Sequence, residues 1–521
     1  MLACLRQVIL RPLTIIGILC MVSLMLLHQL TSIYYYLTLA QLLFVPIIVE
    51  QLVILKKWQK SIIAGGQLSV TLLFFSENEI VVTLCVLLYL LSTIIVAWQG
   101  VGRFLKRGFV NTAEMMIDIG LIYIVMGGVW FLAYHLQLNT GFSPMITWLT
   151  AIHFHYSAFL LCISVGLIGR IHMTRFYRFC CWVIAAGPML VAVGITFSRI
   201  VEIISVSLYV VAIFSIGYFV VKWKLPHGQR LLIRGAFLTL CFTIIWSFLY
   251  AAGNLTGTEL VTIPDMLAFH GILNCLFFGG MIVIAWSLSV PVTKQKAFSF
   301  PISKIRGKLP ISTKPHTGLV DDMGNLIDIE KIPALISAFY EQTVKFELTA
   351  SVKWATWFKP IAFFYQFFSQ KIGQLNLPYS SKPVVMDGQI LKIDESLDGR
   401  AKPRVWQRAI EGQPVFKAIY STHWKNDQCY MNIALPLPMS TMHGILKPST
   451  KNNKLYLTSD AQGDAGTYLT FGDYTLQLPL HEYFMIQEEQ GNLKATHDMT
   501  LFGLSFLHID YHIQPRKSAN T

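Results

Sequence analysis

Charge is what this sequence has least of. Of its 521 residues only 13% are Asp, Glu, Lys or Arg, while 54% are hydrophobic. An ordinary soluble chain carries about a quarter charged residues. The deficit is uneven. Up to Pro291 there are 16 Lys/Arg and 8 Asp/Glu, and from Val292 onward there are 25 and 20. Enzyme fingerprints are also missing: there is no P-loop, dinucleotide-binding glycine motif, Gly-x-Ser-x-Gly or His-Glu-x-x-His. This favours a non-enzymatic role, and no catalytic residue is assigned. The nine cysteines include no Cys-x-x-Cys pair, and eight lie in or beside apolar segments. They read as small buried hydrophobes, with no disulfide framework or zinc site. The net charge of +13 does not point to nucleic acid. In the first part the bases sit in short loops between apolar runs, and the tail has no dense basic stretch.

Those apolar runs predict an α-helical polytopic membrane bundle. A spanning helix needs about 20 apolar residues, and runs fall at 12–30, 33–55, 61–75, 80–99, 112–136, 144–168, 180–197, 203–221, 232–252 and 264–290. About ten helices are expected in a transmembrane domain of residues 1–291. Arg6 and Arg11 precede the first run without a cleavage site after it, so that run reads as an uncleaved helix. Alternate loops carry Lys56, Lys57 and Lys60; Arg103, Lys106 and Arg107; Arg170, Arg175 and Arg178; Lys222, Lys224 and Arg230. The opposite loops carry one base, Arg199, with Glu77, Glu79, Glu202, Glu259 and Asp265. This asymmetry predicts that both termini are cytoplasmic.

Ionisable groups inside a bilayer are expensive and mark functional candidates. The sixth run contains His153-Phe154-His155-Tyr156. At 100° per residue His153 shares a face with Thr150, Ser157 and Ser164, whereas His155 points away. The tenth run carries His270 and Asn274 one turn apart, and helical rise puts His270 near the depth of His153. The ninth adds Thr239, Thr243 and Ser247. Pro46 and Pro188 are the mid-membrane prolines, at matching places in two five-helix halves, as in transporters built from interrupted helices. Glu50 lies one turn beyond Pro46, near Gln41 and Gln51. Glu114 and Asp118 fall near an inner helix end.

After a Lys/Pro-rich linker, residues 292–317, a cytoplasmic domain is expected over 318–521. It opens with a helix near 333–344 and an aromatic, Lys-interleaved segment from Trp354 to Lys371. That segment reads either as core or as a helix lying on the membrane surface. Strand-like stretches follow at 384–393, 415–420, 429–437, 454–458, 467–480 and 504–513. The expected fold is α+β, mainly antiparallel β: a curved sheet with a helix against it, of a shape that could hold a lipid-like ligand. His481-Glu482, His497-Asp498, His508 and His512 have no metal-ligand spacing backed by a second element.

The run Leu149 to Tyr156, the later Met266-Leu-Ala-Phe-His270-Gly271-Ile-Leu-Asn274 and the β-rich tail together resemble the YndJ-like family of bacterial membrane proteins. The resemblance implies a bacterial inner (plasma) membrane location and singles out His153, His155, Tyr156, His270, Gly271 and Asn274. It implies little chemistry. Three readings stay open. The first is a transporter with an outward-facing polar cavity for a small molecule or ion, lined by His153, His270 and Asn274. The second is a membrane protein binding a metal or haem through His153 and His270. The third is a non-catalytic scaffold whose tail binds a lipid or a partner. The lipid bilayer is a partner in all three, and nucleic acid in none. The cofactor and oligomeric state are left unassigned.

Overall fold

The computed structural model describes residues 2–27, 35–295, 297–309 and 314–516. Residues 28–30 of the first expected span, 33 and 34 of the second, positions 296 and 310–313 of the expected linker and 517–521 of the expected cytoplasmic domain lie outside the described residues. The chain forms two compact units: Met1–Phe104 with Asn111–Lys296, and Leu105–Val110 with Ala297–Thr521.

The first unit is helical: α1 Leu2–Ile9, α2 Pro12–Leu27, α3 Tyr35–Leu52, α4 Lys57–Leu72, α5 Glu79–Leu105, α6 Thr112–His135, α7 Pro144–Ile171, α8 Arg175–Phe197, α9 Arg199–Lys222, α10 Arg230–Thr256 and α11 Ile263–Leu288. Eight of these, α3 and α5 to α11, are long and apolar enough to cross a membrane. Among the described residues this supports the expected ten only in part. The runs read as first and third spans contain α2 and α4, each with 16 described residues, against the ~20 of an average span. The polar side of α4 has a structural use. Gln67 donates to the carbonyls of Leu13 and Leu42 at 2.9 and 2.8 Å, tying α2 to α3.

Local chemistry sets the helix ends. Asn111 caps α6 by accepting from the Ala113 and Glu114 amides. Ser143 caps α7, with Pro144 in its first turn, where a missing N–H costs nothing. Four stretches are π-helical: Ala40–Phe44 in α3, Phe154–Leu160 in α7, and Met266–Gly271 and Leu273–Phe278 in α11. Such wide turns occur mostly at functional sites. The helix α7 is the centre of the bundle, with 89% of its apolar window buried.

The second unit is a closed antiparallel barrel rather than an open curved sheet. Its strands run β1 Lys314–Pro315, β2 Phe346–Trp354, β3 Val384–Lys392, β4 Arg404–Ile410, β5 Gln413–Lys425, β6 Gln428–Leu437, β7 Ser440–Lys451, β8 Lys454–Thr458, β9 Gly466–Phe471, β10 Tyr474–Gln477, β11 Leu480–Glu489, β12 Asn492–Leu501 and β13 Leu504–Pro515. The circuit is β7-β6-β5-β4-β3-β2-β13-β12-β11-β8 and back to β7. Closure depends on β7 changing neighbour along its length. Thr441–Ile445 pair with β9, and Lys447–Lys451 pair with β8. The expected strand over 467–480 is therefore β9 and β10, a hairpin off the circuit. Five hairpins turn on residue pairs with positive φ at both positions: Glu411-Gly412, Asn426-Asp427, Asn452-Asn453, Gln490-Gly491 and Phe502-Gly503. That is the mirror-image turn whose twist matches paired strands.

The interior holds Val352, Met386, Trp406, Met431, Leu446 and Ile509, and α12 (Ala334–Glu341) adds Ile336 and Phe339 to the same core. Trp354 ends β2, and the aromatic segment beyond it becomes α13, Lys359–Ile372, with Pro360 in its first turn. Residues 297–309 run along the outside of the barrel. There Phe300 packs with Tyr430 and Tyr468, and Ile305 with Val405 and Ala434. Beneath them Arg400 and Asp398 form an ion pair of 2.7 Å with both side chains fully buried.

Candidate functional site

Helix α7 exposes one side chain between Ile146 and Ile171, and it is His153. Across from it is His270 of α11, with ring centroids 6.5 Å apart and planes inclined by 29°. Depth reasoning had put the two at one level, and the structure brings them side by side. Their partners assign the protons. His270 Nδ1 lies 3.0 Å from the Thr243 carbonyl, which can only accept, so Nδ1 carries hydrogen. Its Nε2 then accepts from the Asn274 amide at 3.0 Å. Thr243 donates to Asn274 Oδ1 at 2.6 Å, which fixes the amide's orientation. Ser247 adds a longer contact to Nδ1, at 3.4 Å. This chain of bonds holds His270 in one neutral tautomer. His153 Nδ1 donates to its own helix, to Leu149 O at 2.7 Å. Its Nε2 is therefore a lone-pair acceptor with no protein partner among the described residues. The pair offers one open acceptor beside one locked ring.

The wide turns explain this geometry. A π turn starts directly after His153, and both His270 and Asn274 sit in π turns. The extra residue per turn breaks the stripe predicted at 100° spacing. Ser164, expected on the His153 face, is fully buried and accepts from Trp286 Nε1 at 3.2 Å. Ser157 is half-buried and Thr150 bonds to its own helix. His155 points away, as the spacing implied. It is buried with Nε2 2.6 Å from the Tyr89 hydroxyl and Nδ1 2.8 Å from Ala151 O. Tyr156 donates to Tyr36 O at 2.8 Å. Glu50 stands apart from the histidines, with Lys60 at 3.8 Å. Among the described residues no three His, Cys, Asp or Glu converge on one point, so a metal here would rest on the two imidazoles alone.

Glu114 and Asp118 anchor a buried ionic cluster. Arg103 reaches Asp118 at 2.8 Å and Glu114 at 3.0 Å, and Arg170 grips Glu114 through two nitrogens at 2.7 and 2.9 Å. Arg103 and Arg170 also bond to the Leu52 and Pro291 carbonyls. The cluster thus pins the ends of α3, α5, α6, α7 and α11 together, which is a structural role.

The barrel interior contains a polar group that sequence reasoning missed. Arg408 is only 8% exposed and its guanidinium carbon lies over two rings, 4.5 Å from Trp406 and 4.2 Å from Phe416. Its Nε is buried without a partner, and none of its donors meets an acceptor among the described residues. Tyr420 lies close by, its hydroxyl pushed up to about 12 by burial, with Arg408 pulling the other way and Tyr511 and Glu482 adding to the rise. Glu482 is 3.3 Å from His497 on the next strand. This pairing, and the bonds from His508 to Asp498 at 2.6 Å and Asp510 at 3.1 Å, supply the second strands that sequence spacing could not show. An alternation of inward residues over β4 would have flagged Arg408.

Fold and site together define a multi-pass membrane protein with a histidine-bearing helical unit and a closed antiparallel barrel. The model of the YndJ-like protein family matches residues 35–278. The chain is 38% identical over 458 residues to the uncharacterized membrane protein YndJ of Bacillus subtilis (strain 168), covering 82% of this chain and 83% of that one. It belongs to the YndJ family. No solved structure matches it.

Proposed function

We propose that the helical unit is a transporter, and that the facing pair His153 and His270 takes up a proton or a small hydrogen-bond-donating ligand. We place it in the bacterial plasma membrane with basic loops and both termini in the cytoplasm, on the loop asymmetry, so that the pair lies toward the outer side. The observation that carries the reading is His153, the single exposed position of α7 between Ile146 and Ile171. A polar side chain is kept accessible on a helix otherwise packed all round, and it presents a lone pair. An imidazole lone pair can take up a proton or accept a hydrogen bond, so this position can serve either ligand. The test is proton uptake into proteoliposomes under an imposed potential, followed by an internal pH-sensitive dye. His153→Ala should abolish uptake and His270→Ala should reduce it, in proteins that melt like the parent. Uptake unchanged in both variants sinks the proposal. Metal or haem held by the two histidines is a weaker reading. Stoichiometric metal, or a Soret band, in purified protein would revive it.

A second reading concerns the barrel as a ligand-binding module, and Arg408 favours it. A buried guanidinium with unmet donors costs several kcal/mol unless an anion satisfies it. A carboxylate-bearing amphiphile fits that need. Oleate binding to the purified chain, weakened by Arg408→Gln, would support this reading; binding indifferent to that change would remove it.

A further inference from the structure

Helix α13 is almost bare. Of its side chains only Ala362 and Ser369, seven residues apart, are buried, and they form the narrow strip by which it sits on the barrel. Phe363, Phe364, Phe367 and Phe368 are 47, 65, 57 and 65% exposed, and Ile361 is 51% exposed. None of the four phenylalanines joins a hydrophobic core. Phe364, Phe367 and Phe368 stand at helical i, i+3, i+4 spacing, so they share a face. Exposed apolar patches of this kind mark interaction surfaces. The charge pattern says what the surface meets. Within Lys359–Ile372 there is no Asp or Glu, and Lys359 and Lys371 stand at the two ends. Trp357, 45% exposed, precedes the helix. Aromatic side chains between flanking lysines, with no acid, suit the boundary between acyl chains and anionic headgroups. Among the described residues the same chain carries eight helices long and apolar enough to cross a membrane, so the unit that bears α13 is tethered to a bilayer.

We infer that α13 is an interfacial helix that lies in the headgroup region of an anionic bilayer, with Phe364, Phe367 and Phe368 buried among acyl chains. The helix is a second, peripheral membrane contact, separate from the spanning segments. It makes the barrel unit responsive to lipid charge. Lys359 and Lys371 each add electrostatic attraction that salt weakens.

Spin labels attached to single cysteines test this in the full chain. The one exposed native cysteine, Cys4, is first replaced by Ser. Labels then go at Phe364→Cys, Phe368→Cys and, as an aqueous control, Asn452→Cys in the β7–β8 turn. The protein is reconstituted in nanodiscs of phosphatidylglycerol with phosphatidylethanolamine, and in nanodiscs of phosphatidylcholine. Collision with oxygen should rise, and collision with a water-soluble nickel chelate should fall, at 364 and 368 relative to 452. The contrast should shrink in phosphatidylcholine and in a Lys359→Glu/Lys371→Glu background. Labels at 364 and 368 as open to nickel as the control in both lipids would overturn the inference. So would shielding that grows with protein density and ignores lipid charge, because it would mean a second copy of the chain covers α13. Exposed phenylalanines tolerate substitution, and an unchanged β-sheet infrared band confirms that each labelled barrel is folded.

Discussion

Replacing Arg400 by Met should cost the barrel unit more than any surface change. Arg400 donates to Asp398 at 2.7 and 3.2 Å, to Asn432 Oδ1 at 2.9 Å and to the carbonyls of Asn432 and Ile419 at 2.8 and 3.2 Å. Asp398 has one further side-chain partner, Ser303, at 2.6 Å. Neither charged side chain touches solvent. Removing one member of such a pair leaves an uncompensated buried charge, at about 3–5 kcal/mol. For a unit of this size 1 kcal/mol moves the melting point by about 2–4 °C, so the expected fall is roughly 6–20 °C. Asp398→Asn should be at least as damaging, because a stranded carboxylate can take up a proton whereas a stranded guanidinium cannot lose one. Arg400→Lys keeps the charge but loses the fork and should fall between. Melting of the detergent-solubilised chain is read from the infrared β-sheet band, to which the membrane helices do not contribute. Shifts under about 2 °C for both single variants, or Asp398→Asn milder than Arg400→Met, would refute the reasoning.

Three other outcomes are expected. Gly127 leaves no room for a side chain, since a Cβ there would lie 2.6 Å from His155 Cε1. Gly127→Ala should cost about 1–3 kcal/mol by overpacking, seen as a lower melting point of the helical unit; an unchanged melting point would mean that His155 can move aside. Asn274→Leu removes the donor to His270 Nε2, frees the tautomer and should slow proton uptake without abolishing it, so unaltered uptake kinetics would detach Asn274 from the site. The barrel should weaken as pH falls below about 6.5. Burial holds His423 below its ordinary value despite Asp464 beside it, and burial with Arg400 and Arg306 holds His443 well below. The unfolded chain, whose histidines ionise near pH 6.5, therefore binds more protons in that range, and stability drops with acidity. His508 works oppositely. Burial lowers it, but Asp498 and Asp510 outweigh burial and raise it, so its small, partly exposed contribution is present in acid and fades as pH rises. Melts at pH 7.5, 6.5 and 5.5 should slope downward, and His443→Gln should flatten the slope.

Apolar runs and alternating basic loops made the membrane unit legible, and the matched depth of His153 and His270 followed from helical rise alone. What could not be read was the width of each turn. A π turn changes which hydrogen bonds close, not which residues are apolar, so the predicted Ser157 and Ser164 stripe failed past His153. In the barrel, the stretches read as strands fall on β3, β5, β6, β8, β9 and β13; β7, buried on both faces over Thr441–Leu446, carries no period-two signal, whereas β12 alternates Leu493, Ala495, Met499 and Leu501 with polar residues and was passed over. Closure was illegible because it depends on β7 serving two neighbours. Arg408 was passed over because residues 404–410, with Arg404, Gln407 and Arg408 among them, were not read as a strand.

The wide turn after His153 has a mechanical meaning. It is slack: one residue more than an α-helical turn would hold, stored inside a helix whose ends are pinned, at one of them by Arg170 to Glu114. Slack of this kind can travel. If a single backbone bond passes from a five-residue to a four-residue partner, the wide turn advances one position, and the side chain it passes swings by about 100° with neither end displaced. A histidine at the edge of such a turn can be aimed at its partner His270 or withdrawn from it by moving a fold in the backbone, as a ruck is moved along a carpet, without any helix sliding through the bilayer.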